Sequence, residues 1–189
     1  MAQSGAEVIK VEPADGDWGR VIGARFNGVS SAFLTYNSGK KSVALNLKSK
    51  AGLEAARRLA ATCDVFVESF RPGVIQRLGF GSAGPLAALP AMDPIIQAYS
   101  GWYDVNRGAD GVPTQMDHVP IDVLTGLYAY QVAVAALLRR FRFGEGAQLE
   151  VSLVHAAAAF LAPRLHDHIL AGGTPKRDVG IPWGPYPAK

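Results

Sequence analysis

Asp122 stands at the head of PIDVLTGLYAYQVAVAALLRRF, a lone carboxylate opening a long apolar run. Leu124, Leu127, Tyr128, Val132, Ala135 and Leu138 recur at intervals of three and four, which predicts a helix with one buried face. Asp122 then falls at or near the N-cap, where its carboxylate can accept hydrogen bonds from the unpaired N–H groups of the first turn at the positive end of the helix dipole. The same donors would hold the carboxylate ionised and fixed in direction, as a carboxylate nucleophile requires. Capping and covalent chemistry are both open to this residue.

The other reactive side chains carry less. Cys63, the only cysteine, excludes an intrachain disulfide and lies in RRLAATCDVFVESF between a helix end and a strand start, where it reads as a buried structural thiol. His166 and His168 are two apart on a helical stretch and so point to different faces, which argues against a metal site. Gly79, Gly81 and Gly84 spell the dinucleotide fingerprint, but VIQRL precedes them and PLAALP follows, whereas that motif needs a strand before and a helix after.

The elements that position these residues alternate. AEVIKVEP reads as a buried strand stopped by Pro13, and ADGDWGR as turn chemistry. Residues 32–36 (AFLTY) and 42–47 (SVALNL) are strand-like, and a helix follows with Ser49 as its cap and Leu53, Ala56, Leu59 and Ala60 on its inner face. DVFVESF is a near-continuous apolar strand of the kind covered on both faces in a parallel sheet. Strand, helix, strand in that order predicts a right-handed βαβ unit in an open, mainly parallel, Rossmann-like α/β sheet with flanking helices. Short helices are expected at VIQRL and IIQAYSG, a turn at NRGADGVPT, a strand at QLEVSL and an Ala-rich helix near 155–171. The closing GGTPKRDVGIPWGPYPAK is too rich in Gly and Pro for regular structure.

At 189 residues, 49% hydrophobic and 19% charged, the chain has ordinary globular composition, so disorder is not the default. Its net charge of +3 is dispersed, with no basic run of the kind that binds nucleic acid, and a small anionic ligand is the better expectation. The N-terminus lacks a signal-peptide pattern, and the apolar stretches near 132–138 and 156–162 fall short of a membrane span; a soluble, cytoplasmic protein is expected.

AEVIKVEP, NSGKKSVALNLKSKAG, DVFVESFRPGVIQRLGFG, IIQAYSG and the stretch from VPIDVLTGLYA to GEGAQLEVSL together resemble the family III CoA-transferases, of which the α-methylacyl-CoA racemases are a branch. The resemblance covers most of residues 5–175. It implies that Asp122 is the nucleophile, attacking an acyl-CoA thioester to give a mixed anhydride that CoA thiolate converts to an aspartyl-CoA thioester. It further implies contacts to CoA, as substrate and not as a tightly bound cofactor, from Leu45, Lys48, Ser69, Phe70, Arg71, Arg77 and Leu78, with Met92 and Asp93 in the same set. The racemases carry a His where Met92 stands; methionine cannot move a proton, so transfer between carboxylic acids is favoured over racemisation. Family members are homodimers.

Set against the family pattern, three pieces are expected to be absent from this sequence. These are an opening strand, loop and helix before Ala6, about one strand between GFGS and AGPLAALP, and a second domain after Lys189. The expected organisation is therefore a partial CoA-binding α/β domain over 1–171 and a linker over 172–189. A catalytically inactive CoA-binding or interaction fragment is the alternative to the enzyme.

Overall fold

The computed structural model describes residues 1–70 and 92–173, and the chain divides into two compact units, Met1–Pro90 and Ala91–Lys189. VIQRL, the glycine motif at 79–84, the join after Ser82 and residues 174–189 lie outside the described residues.

In the first unit, β1 (Ile9–Glu12) pairs in parallel with β4 (Lys41–Ala44), in the register Ile9 with Lys41 through Glu12 with Ala44. Between them the chain makes a 3₁₀ turn at Trp18–Arg20, a hairpin of β2 (Arg25–Phe26) and β3 (Val29–Ser30), and helix α1 (Ser31–Asn37). The hairpin turns on Asn27 and Gly28, both at positive φ (49° and 81°), as a two-residue turn with that dipeptide demands. Helix α2 (Lys50–Ala61) begins where expected: Ser49 accepts a hydrogen bond from the Gly52 amide, and Leu53, Ala56, Leu59 and Ala60 are half-buried.

Several expectations fail here. AFLTY is helical rather than a strand, because Ser30 caps the segment through the Phe33 amide and starts α1. DVFVESF forms no strand: a strand exists by pairing, and residues 64–70 pair with neither β1 nor β4. The parallel pair is thus β1 with β4, its crossover carrying α1, and the unit predicted around α2 is absent from the described residues. Cys63 is exposed, one residue beyond the C-cap Thr62, with no following strand to cover it.

The second unit is helical: α3 (Asp93–Tyr99), α4 (Trp102–Val105), α5 (Pro120–Phe143) and α6 (Leu153–Ala171). QLEVSL forms no strand; Ser152 instead caps α6 through the His155 amide. Ile96, Trp102, Ile121, Ala157 and Leu161 make the core, one or more from each helix, and Trp102 stacks on Phe160 at 4.7 Å. Its indole N–H donates to Met116 Sδ at 3.1 Å.

The inner face of α5 follows Ile121, Leu124, Tyr128, Val132 and Ala133, while Leu127, Ala135 and Leu138, expected inside, are exposed. Apolar residues lie all around this helix, so periodicity alone does not choose a side; α6 and α3 do, by packing against one. At 24 residues α5 is also long and apolar enough to cross a membrane by length and composition, although little of it is buried. Unbroken apolar runs understated it, because uncharged Thr125, Gly126, Tyr130 and Gln131 extend the span.

Candidate active site

The first turn of α5 places Asp122. Val119 holds the N-cap position without a side-chain hydrogen bond, Pro120 and Ile121 follow, and Asp122 is the third helical residue. Proline fits the first position because its missing N–H costs nothing there. The carboxyl of Asp122 accepts no hydrogen bond among the described residues. The capping expected of it is reversed: the Asp122 amide itself donates, at 2.8 Å, to Oδ2 of Asp93 on α3. An acidic side chain from another helix satisfies the open N-terminus, and the Asp122 carboxyl is left free.

Asp93 is 2% exposed and both its oxygens are engaged. Oδ1 accepts from Gln97 Nε2 at 2.5 Å, one turn along α3. Gln97, wholly buried, also donates to the His118 carbonyl (3.4 Å) and accepts from the Met116 amide (3.2 Å), so it ties the approach to α5 onto α3. Sequence reasoning missed Gln97. Its signal was an acid and an amide four apart on a short helix, a spacing that brings the two side chains together.

The electrostatics also differ from expectation. Instead of being stabilised by first-turn donors, the Asp122 carboxyl has its pKa raised, first by partial burial and then by the negative charge of Asp93. The residue stays open to solvent. A carboxylate that few donors stabilise is the better nucleophile.

Met92, the N-cap of α3, is 59% exposed, its side chain turned out while Asp93 turns in. In the first unit, Leu45 and Lys48 share the turn from β4 into α2. Leu45 is half-buried, with its amide on the Glu12 carbonyl at 2.9 Å, whereas the Lys48 side chain is exposed and its amide donates to Asn46 Oδ1 at 3.0 Å. Ser69 and Phe70 are exposed, and the Phe70 amide donates to Glu68 Oε2 at 2.9 Å. Arg71, Arg77 and Leu78 lie outside the described residues.

Fold and site together define a mixed α/β protein with a solvent-open aspartate at the mouth of a helix, held by its own backbone rather than by its side chain. The model of CoA-transferase family III matches residues 1–82 and 78–188, and the chain belongs to that family. It is 34% identical to succinyl-CoA:glutarate CoA-transferase of Mus musculus over 97% of this chain and 46% of that protein. It is also 34% identical to acetyl-CoA:oxalate CoA-transferase of Acetobacter aceti, over 94% and 51%. A solved CaiB/BaiF family protein from Brucella suis superposes with a TM-score of 0.84 at 29% identity, over 92% of this chain and 52% of that one.

The chain thus spans about half the length of the curated relatives it matches. The alignment to the mouse enzyme runs over 206 positions, more than the 189 residues here, so the relative carries residues this chain lacks. The two matched stretches of the family meet at 78–82, where GFGS runs abruptly into AGPLAALP.

Proposed function

We propose that this chain carries the nucleophile-bearing part of a cytoplasmic CoA-transferase that moves CoA between carboxylic acids, with Asp122 as the nucleophile. The Asp122 carboxylate attacks the acyl-CoA carbonyl and CoA thiolate leaves, giving a mixed anhydride. The thiolate then attacks the aspartyl carbonyl, releasing the first acid and leaving an aspartyl-CoA thioester. The acceptor carboxylate enters by the same two steps in reverse, and Asp122 is regenerated. Splitting one exchange into two carbonyl substitutions is ordinary covalent catalysis. The observation that carries this reading is the Asp122 carboxyl itself, free of described donors and raised in pKa, in a chain of this family.

For CoA, the first unit offers Leu45 and Lys48, Ser69 and Phe70, with Arg71, Arg77 and Leu78 beyond them. An exposed Lys48 suits a phosphate as a point charge. Met92 belongs to the same set, and its thioether cannot act as an acid or base, which disfavours racemisation. The whole enzyme acts as a homodimer.

The test is incubation with succinyl-CoA or acetyl-CoA, the donors named for the relatives, then hydroxylamine trapping and mass spectrometry. The expected adduct sits on Asp122 and is absent from Asp122→Asn. A folded chain that binds CoA by calorimetry yet never labels Asp122 would establish the second reading, a CoA-binding fragment, which the half-length span favours.

A further inference from the structure

We propose that Asp93 and Gln97 form a positioning clamp for Asp122: the Asp93 carboxylate fixes the Asp122 backbone and sets the charge its side chain meets, while Gln97 locks the loop that delivers it. The assignment rests on Asp122 being the nucleophile.

Three observations carry it. First, a carboxylate 2% exposed needs partners, and both partners of Asp93 lead to Asp122: its amide directly, and Gln97, which grips the 116–118 loop before α5. Buried polar groups are costly unless fully satisfied, so a complete network of this kind specifies one arrangement. Second, the contact is to the backbone of Asp122 and not to its side chain. That fixes where the carboxyl stands without occupying its lone pairs, the arrangement a nucleophile needs and a structural aspartate does not. Third, Tyr103 Oη on α4 donates to the Pro94 carbonyl at 3.1 Å, and Ile96 shares the buried core with Ile121, so α3 is held from both α4 and α5.

Among the described residues, Asp93 is the charged group that bears on the Asp122 carboxyl. Asp117 and His118 lie in the loop before α5 and His155 in the first turn of α6. One like charge beside a carboxylate raises its pKa and leaves it poorly stabilised.

The experiment follows the carboxyl of Asp122 directly, in the full 189-residue chain labelled with carbon-13 aspartate, its signal identified by loss in Asp122→Asn. Asp93→Asn keeps the size and an acceptor but removes the charge, so the Asp122 titration midpoint moves to lower pH. Asp93→Ala removes the acceptor, and exchange of the Asp122 amide proton speeds by at least about 10-fold, the loss of one charge-assisted hydrogen bond. If Asp93→Ala does not fold, Asp93→Asn still gives the answer. In the acyl-CoA labelling assay Asp93→Ala slows acylation by about 10²-fold, the cost of a misplaced reacting group. An Asp122 midpoint unmoved by Asp93→Asn overturns the clamp even if Asp122 is labelled. A moved midpoint in a chain that forms no adduct removes the transfer reading and with it the positioning role, leaving only a structural contact between Asp93 and Asp122.

Discussion

Arg20 grips Glu12 at two points, Nε on Oε2 at 2.9 Å and Nη2 on Oε1 at 2.5 Å, and so folds the ADGDWGR loop back onto the end of β1. The carboxylate also receives the Ser42 hydroxyl from β4 and the Asp17 amide, and Glu12 is only 5% exposed. Beside it Lys10 pairs with Asp17 at 2.8 Å, and the Arg20 guanidinium lies over the Phe33 ring at 4.2 Å, joining the loop to α1. The turn at Trp18–Arg20 is thereby built around a buried acid that takes four hydrogen bonds from three neighbours, Arg20, Ser42 and Asp17.

That acid sets the response to pH. The Arg20 hydrogen bond, then those of Ser42 and the Asp17 amide, outweigh burial and hold the Glu12 carboxyl well below the usual range. Asp17 is lowered too, burial pushing it up but the Lys10 and Gly19 hydrogen bonds prevailing. The unfolded chain therefore takes up these protons at higher pH than the folded one. Their stabilisation is complete above the ordinary carboxylate values and drains away as pH falls through and below them. Asp122, raised, works in the opposite sense. Thermal unfolding followed from neutral pH into acid should show the wild-type melting temperature falling, with Glu12→Gln less stable at neutral pH and less sensitive to acid. Equal acid sensitivity in both proteins would refute the role given to Glu12.

Gly52 should not tolerate alanine, although it lies inside α2. A Cβ there would stand 2.1 Å from the Asn46 carbonyl oxygen and 3.0 Å from Ser49 Oγ, the capping atom. Helix propensity by itself would reward the change by about 1 kcal/mol, but the clash is with backbone, and overpacking of this kind costs about 1–3 kcal/mol. Gly52→Ala is expected to lower stability in denaturant titration; a gain would show that the turn from Asn46 to Ser49 yields freely.

Ile121 has no exposed surface and sits between Pro120 and Asp122. Ile121→Ala should cost about 2–5 kcal/mol, the range for emptying a core site. Because the lost volume lies beneath the first turn of α5, labelling of Asp122 should fall more than the folded fraction does. Proportional loss of both would mean that the core supports the fold without aiming the carboxyl.

Ser152 caps α6 by accepting from the His155 amide at 3.1 Å. Ser152→Ala is expected to cost about 1 kcal/mol, read as a shift in the denaturant midpoint with an unchanged slope. No shift would place the stability of α6 wholly in its packing.

Much was legible because it is local. The strand at β1, the Ser49 cap, the short helix that carries IIQAY and the two long helices each follow from neighbours within a turn or two, through period, capping and proline. Even the hairpin at Asn27 and Gly28, which went unread, was written in a two-residue signal. The strands assigned to AFLTY, DVFVESF and QLEVSL failed because an apolar run states a preference and a strand needs a partner.

The sequence by itself determined that an aspartate heads α5 and that an apolar helix follows it. Only the tertiary structure decided what the aspartate does there. It assigned the capping to Asp93, 29 residues earlier, buried Gln97 beneath it, and left the Asp122 carboxyl free. No local rule could state this, because the hydrogen bond that frees one carboxylate comes from another helix, and its reach is set by the packing of Ile96 and Ile121 rather than by spacing along the chain.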